Sequence, residues 1–161
     1  MSYSTGGSSA GRGKNVIMRA PNDGLEHLDR AEEEMRAAER DAAEGLDPRP
    51  AYGRAIAAYG EALKRNQHCV YFVNRGCAHE QLAEAEAAAG LDPRPSYGRA
   101  IVDYGAAIAR NPDLAVGYHN RGNAHMGMGD GERAVGVDPR GSYRRAIADY
   151  DQALMRDPQD A

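Results

Sequence analysis

The chain has 161 residues, and its 24 acidic and 20 basic side chains give a formal net charge of −4, so no global positive field exists to hold a phosphate backbone, and nucleic acid is excluded as a main partner. Such a length suits one domain, and its two cysteines, Cys69 and Cys77, form no Cys-x-x-Cys pair and point to a reducing cytoplasm. No stretch is long and apolar enough to span a membrane, and residues 1–21 lack the apolar run of a signal peptide.

Residues 1–21 carry Ser4-Thr5-Gly6-Gly7-Ser8-Ser9 and too few apolar residues to offset the entropy of ordering, which predicts a flexible N-terminal tail. Gly11-Arg12-Gly13-Lys14 is no phosphate loop, because Ser8 stands where the first glycine is needed and Asn15 where Ser or Thr is. Asn22 or Asp23 can cap a first helix through Leu25, Leu28, Ala31 and Met35, which Gly45 ends. Asp47-Pro48 and Pro50 then predict a rigid turn. A second helix follows from about Ala51 to Arg65, with Tyr52, Ala55, Ile56, Tyr59, Ala62 and Leu63 on one broad helical stripe.

The same plan recurs twice. Helices are predicted from about Cys69 to Ala89, Ser96 to Arg110, Leu114 to Met128 and Ser142 to Arg156. Four glycines (Gly127, Gly129, Gly131, Gly136) predict a loop between the last two, since each costs about 1 kcal/mol in a helix interior relative to alanine. The phrase Gly-x-Asp-Pro-Arg appears at 45–49, 90–94 and 136–140, always followed by Tyr-x-Arg-Ala-Ile. A period of about 45 residues is the mark of a stacked helical array. Residues 45–63 and 90–108 match at 14 of 19 positions. The domain is therefore expected over 22–161, in units of about 22–66, 67–112 and 113–158.

These residues resemble the tetratricopeptide repeat family. Ala31, Gly76 and Gly122 match its small first-helix residue; Ala55/Ala100/Ala146, Tyr59/Tyr104/Tyr150 and Ala62/Ala107/Ala153 match its second helix, and Pro112 and Pro158 its closing proline. Tyr71 to Gly76 and Tyr118 to Gly122 look like its Tyr-x-Asn-Arg-Gly opening. These units exceed the family's usual length of about 34 residues. Sel1-like repeats, which vary in length between their helices, are the second family considered; the Asn111-Pro112 and Asp157-Pro158 closures favour the first. The resemblance implies an all-α, right-handed α-solenoid of three antiparallel helix pairs.

It also implies a function: a non-catalytic scaffold that holds a peptide or partner helix in a concave groove lined by the first helices. The groove residues would be Leu28, Asp29, Glu32, Val73, Asn74, Cys77, Glu80, His119, Asn120 and Asn123. The family's basic clamp for a C-terminal carboxylate is not expected, because the matching sites hold Leu28, Asn74, Val116 and Asn120, with carboxylates nearby. A neutral or basic protein segment is the expected partner, and no cofactor, metal site or membrane contact is expected. The alternative is a self-associating assembly protein, a homodimer through an uncapped last hairpin that leaves Ile147, Tyr150 and Leu154 partly bare.

Three further features have two readings each. The turn arginines Arg49, Arg94 and Arg140 are either a rim for an acidic partner or groups that reach the carbonyls ending the preceding helix. Arg99 with Asp103, and Arg145 with Asp149, stand four apart and predict ordinary surface pairs. His79 and His125 read as packing residues in preference to metal ligands.

Overall fold

The structure is a computed structural model that describes residues 25–157, so the tail expected at 1–21 and the closing Pro158 lie outside the described residues. Among the described residues there are six helices: α1 (Leu25–Ala43), α2 (Arg49–Arg65), α3 (Cys69–Ala88), α4 (Arg94–Arg110), α5 (Ala115–Ala134) and α6 (Arg140–Arg156). The same residues contain no strand.

The three Gly-x-Asp-Pro-Arg phrases form the hairpin tips and work alike. Each glycine takes a left-handed conformation, with φ of 74°, 72° and 78° at Gly45, Gly90 and Gly136, which a side chain would disfavour. The next amide then reaches back five residues, from Leu46 to the Asp41 carbonyl at 2.7 Å, from Leu91 to Glu86 at 2.8 Å and from Val137 to Glu132 at 2.9 Å. That pattern satisfies the carbonyls left open at the helix end.

The aspartate opens the following helix. Asp47 Oδ1 accepts the Arg49 backbone N–H at 3.1 Å, and both carboxylate oxygens take the Arg49 guanidinium at 2.7 Å. Asp92–Arg94 and Asp138–Arg140 repeat the arrangement. The second helices accordingly begin at the arginine, two residues before the expected Ala51, Ser96 and Ser142. These arginines bind the aspartate two residues back; they do not cap the preceding carbonyls.

Paired residue numbers show how the hairpins close. Gly122 faces Tyr150 and Gly129 faces Tyr143, so position rises on α5 as it falls on α6, and the pair is antiparallel. Between hairpins the same holds: Gly117 meets Ile108, Gly127 meets Tyr97 and Gly131 meets Arg94. Each helix packs on its neighbours in the chain, and α3 also touches α5. With no tryptophan and one phenylalanine in the sequence, tyrosines fill the core. Tyr59, Tyr71 and Tyr104 are fully buried beside Leu28, Val73 and small alanines.

The loop expected after Met128 is helix as far as Ala134. A Cβ on Gly127 would lie 2.3 Å from Tyr97, one on Gly129 2.5 Å from Tyr143, and one on Gly131 2.8 Å from Arg94. Glycine permits α5 to wedge between α4 and α6 at this end, and the buried tyrosine surface offsets the propensity cost. Tyr143 also donates its hydroxyl to Asp130 at 2.8 Å.

The expected surface pairs are likewise replaced by buried ones. Asp103 takes Arg75 through two hydrogen bonds at 2.6 and 2.8 Å, and Asp149 takes Arg121 at the same distances. Both pairs cross from the first helix of a hairpin to its second. Arg75 then lies over the Phe72 ring with Arg110 on it at 4.1 Å, and Arg121 and Arg156 flank Tyr118 in the same way. His79 and His125 sit beside these aspartates at 4.0 Å.

Candidate functional site

Equivalent positions of α1, α3 and α5 align along one side of the stack. They are Leu28/Val73/His119, Asp29/Asn74/Asn120, Glu32/Cys77/Asn123, Met35/Glu80/Met126 and Glu39/Glu84/Asp130, with steps of three and four from Asp29, Asn74 and Asn120 onward that keep these on one helical face. The direct contact of α3 with α5 exceeds any between second helices. The second and third hairpins thus approach each other more closely on their first-helix side.

That tightness sorts the residues expected to line a groove. Leu28, Val73, Asn74, Cys77 and Asn120 are buried, Glu32, Glu80, His119 and Asn123 are half-buried, and Asp29 is exposed. The buried ones join helices: the Asn120 amide nitrogen reaches the Cys77 sulfur at 3.6 Å, across the boundary between the second and third hairpins. Exposed Glu39, Glu84 and Asp130, and exposed Met126, complete the face. The three carboxylates were not anticipated, although their place four residues beyond Met35, Glu80 and Met126 was a usable signal.

Second-helix tyrosines reach through each hairpin to orient these groups. Tyr104 donates its hydroxyl to Glu80 at 2.7 Å and approaches the Cys77 sulfur at 3.4 Å, while Tyr150 donates to Asn123 at 2.8 Å. His119 stacks obliquely on Tyr150, with ring centres 5.7 Å apart. Burial pushes the Glu80 carboxyl up to about 7, and the nearby Glu84 charge acts in the same direction against the Tyr104 hydrogen bond. Burial likewise pushes the Cys77 thiol up to about 12, which leaves it protonated and unreactive.

The accessible surface of this face is acidic. Asp29, Glu32, Glu39, Glu80, Glu84 and Asp130 supply carboxyl groups, of which Glu32 is bonded to Arg36 at 3.3 Å and Asp130 to Arg133 at 3.2 Å. On another side, a hollow of about 370 Å³ is lined by Arg75, His79, Arg99 and Asp103 among others. Its Arg75 and Asp103 are engaged with each other, and burial pulls the His79 imidazole down to about 4, so it is neutral. Among the described residues no three His, Cys, Asp or Glu side chains converge as a metal site, and no helix is long and apolar enough to cross a membrane. The turn arginines Arg49, Arg94 and Arg140 lie at the hairpin tips, engaged with their own aspartates.

Antiparallel hairpins that repeat the same glycine–tyrosine contact and the same turn define a tetratricopeptide-like, all-α repeat protein. No protein-family model matches the sequence, and none of the curated proteins does. Among solved structures, one that is similar is the second TPR of Spaghetti (RPAP3) bound to the HSP90 peptide SRMEEVD. It shares 18% identity and a TM-score of 0.48, over 83% of this chain and 97% of that one.

Proposed function

We propose that the protein is a non-catalytic interaction scaffold whose first-helix face binds a neutral or basic peptide or helix. The observation that carries this reading is the acidity of that face, where Asp29, Glu32, Glu39, Glu84 and Asp130 outnumber the two arginines bonded to it, Arg36 and Arg133. Met126 adds exposed apolar surface, while half-buried His119 and Asn123 offer donors and acceptors to a peptide backbone. Asn74 and Asn120 are buried one step behind the face, where Asn120 joins α5 to α3 through the Cys77 sulfur. The turn arginines serve the tips, each paired with its own aspartate. The Cys77 thiol is held protonated and His79 faces Asp103, while His68 Nδ1, 3.7 Å from the Cys69 sulfur, is taken up by the Val70 backbone N–H as the cap of α3.

Fluorescence anisotropy with labelled basic, neutral and acidic amphipathic peptides tests the reading, with Glu32→Lys/Glu39→Lys/Glu84→Lys as the variant. Loss of surface ion pairs at exposed Glu39 and Glu84 and half-buried Glu32, at up to about 1 kcal/mol each, predicts a loss of about tenfold or more for the basic peptide, less at high salt. An acidic peptide binding as tightly, or a variant with unchanged affinity and an unchanged melting temperature, would overturn it.

A further inference from the structure

We propose that two copies of this chain associate through α6, antiparallel about a two-fold axis, with Arg144 of each copy paired to Asp151 of the other. Each second helix carries a stripe at steps of four, three, four and three residues. It reads Arg49, Gly53, Ile56, Gly60, Leu63 on α2; Arg94, Gly98, Ile101, Gly105, Ile108 on α4; and Arg140, Arg144, Ile147, Asp151, Leu154 on α6. On α4 this stripe receives the next first helix, and on α2 its Gly60–Leu63 end does. A Cβ built on Gly98 would stand 3.7 Å from Met128, and one on Gly105 3.8 Å from the Arg121 guanidinium, while Ile108 meets Gly117; Leu63 and Ile108 are buried as a result. On α6 the two glycines are replaced by Arg144 and Asp151, and Ile147 and Leu154 are 60% and 43% exposed.

The replacements decide what can cover this face. On α4 a Cβ at these two sites would already be in van der Waals contact with α5, and on α6 a first helix would meet two longer, charged side chains there. A head-to-tail stack, with α1 of another copy on α6, is disfavoured as well. By the register of α5 on α4, Arg40 would face Arg140 and Glu26 would sit on Leu154, although Arg30 would find Asp151. A second α6 fits both signs at once. The midpoint between Arg144 and Asp151 falls between Ile147 and Ala148, so an antiparallel copy centred there sets each arginine against the opposite aspartate. Ile147 then packs on its own counterpart, and Leu154 reaches the first turn of the other helix, where Gly141 leaves room. A two-fold contact of this kind is self-complementary and closes after two copies.

Sedimentation velocity over a concentration series gives the test. The parent chain is expected to dimerise, and Arg144→Glu and Asp151→Arg each to lose at least about tenfold in dimer affinity, because like charges then face each other twice. An equimolar mixture of the two single variants should recover a dimer, since the glutamate introduced in one copy then faces the arginine introduced in the other, and one original Asp151–Arg144 pair is kept. The double variant Arg144→Glu/Asp151→Arg should recover it as well. Both sites are solvent-exposed, and circular dichroism checks that every variant keeps its helix content. A parent chain that stays monomeric at all concentrations, single variants that dimerise like the parent, or a mixture that remains monomeric would each overturn the proposal.

Discussion

Replacing Gly127 by alanine separates helix propensity from packing. In an unconstrained helix interior the change stabilises by about 1 kcal/mol. At this site the new Cβ would lie 2.3 Å from Cζ and 2.4 Å from Cε1 of Tyr97. That ring is buried between α4 and α5, and it cannot swing aside without leaving its slot. Overpacking of this kind costs about 1–3 kcal/mol. Gly53→Ala is the control, because Gly53 lies inside α2, is exposed, and has nothing within 4 Å of the position its Cβ would take. The propensity gain is common to both variants, so the difference between them isolates the steric cost of about 1–3 kcal/mol. For a domain of this size each kcal/mol moves the melting temperature by about 2–4 °C. Urea unfolding followed by far-ultraviolet circular dichroism measures both variants against the parent. A Gly127→Ala protein at least as stable as Gly53→Ala would refute the argument that α5 is glycine-rich because it is tightly packed.

Asp103→Asn should destabilise the fold by about 3 kcal/mol, because it leaves the part-buried Arg75 guanidinium without its carboxylate; Asp149→Asn repeats the experiment in the third hairpin, and urea midpoints within error of the parent would dismiss both pairs. Burial raises the Glu80 carboxyl to about 7 from 4.5, so its contribution to stability is fully present below pH 4.5 and lost as the pH rises through 7. Glu80→Gln should flatten that segment of the stability profile, and an unchanged slope would show that the group titrates normally. His79 behaves in the opposite sense: burial lowers it from 6.5 to about 4, so stability is full above pH 6.5 and falls as the pH drops through 4. His79→Gln should remove that loss, which chemical denaturation at stepped pH will reveal.

The six helices were readable from the chain because apolar residues recur every three and four positions and each Gly-x-Asp-Pro-Arg phrase marks the start of a second helix. What escaped were features decided between helices. Each glycine in α5 looks costly when judged locally, and its justification is Tyr97, Tyr143 or Arg94 on another element. Asp103 offers an arginine four residues back on its own helix and another 28 residues away, and nothing in the spacing says that the distant Arg75 wins. The candidate face shows the same limit. The periodicity placed Asn74, Cys77 and Asn120 on one side of their helices, but the packing of α4 and α5 on α3 determines that these are covered while Glu84 and Asp130 remain exposed.

The hairpin tips bear on how the chain folds. Each stop-and-start turn is completed by atoms from within about ten residues of sequence, from Asp41 to Arg49 in the first case, so it can form before any distant part of the chain is in place. Closing so short a segment carries little entropy cost and takes well under a microsecond. Three equivalent nuclei are therefore available, and the hairpins they seed dock with neighbours in sequence, as expected of a protein of low contact order that folds fast. Changing Gly90 to a β-branched residue should slow the growth of the middle nucleus, and refolding would then proceed from the two outer hairpins inward.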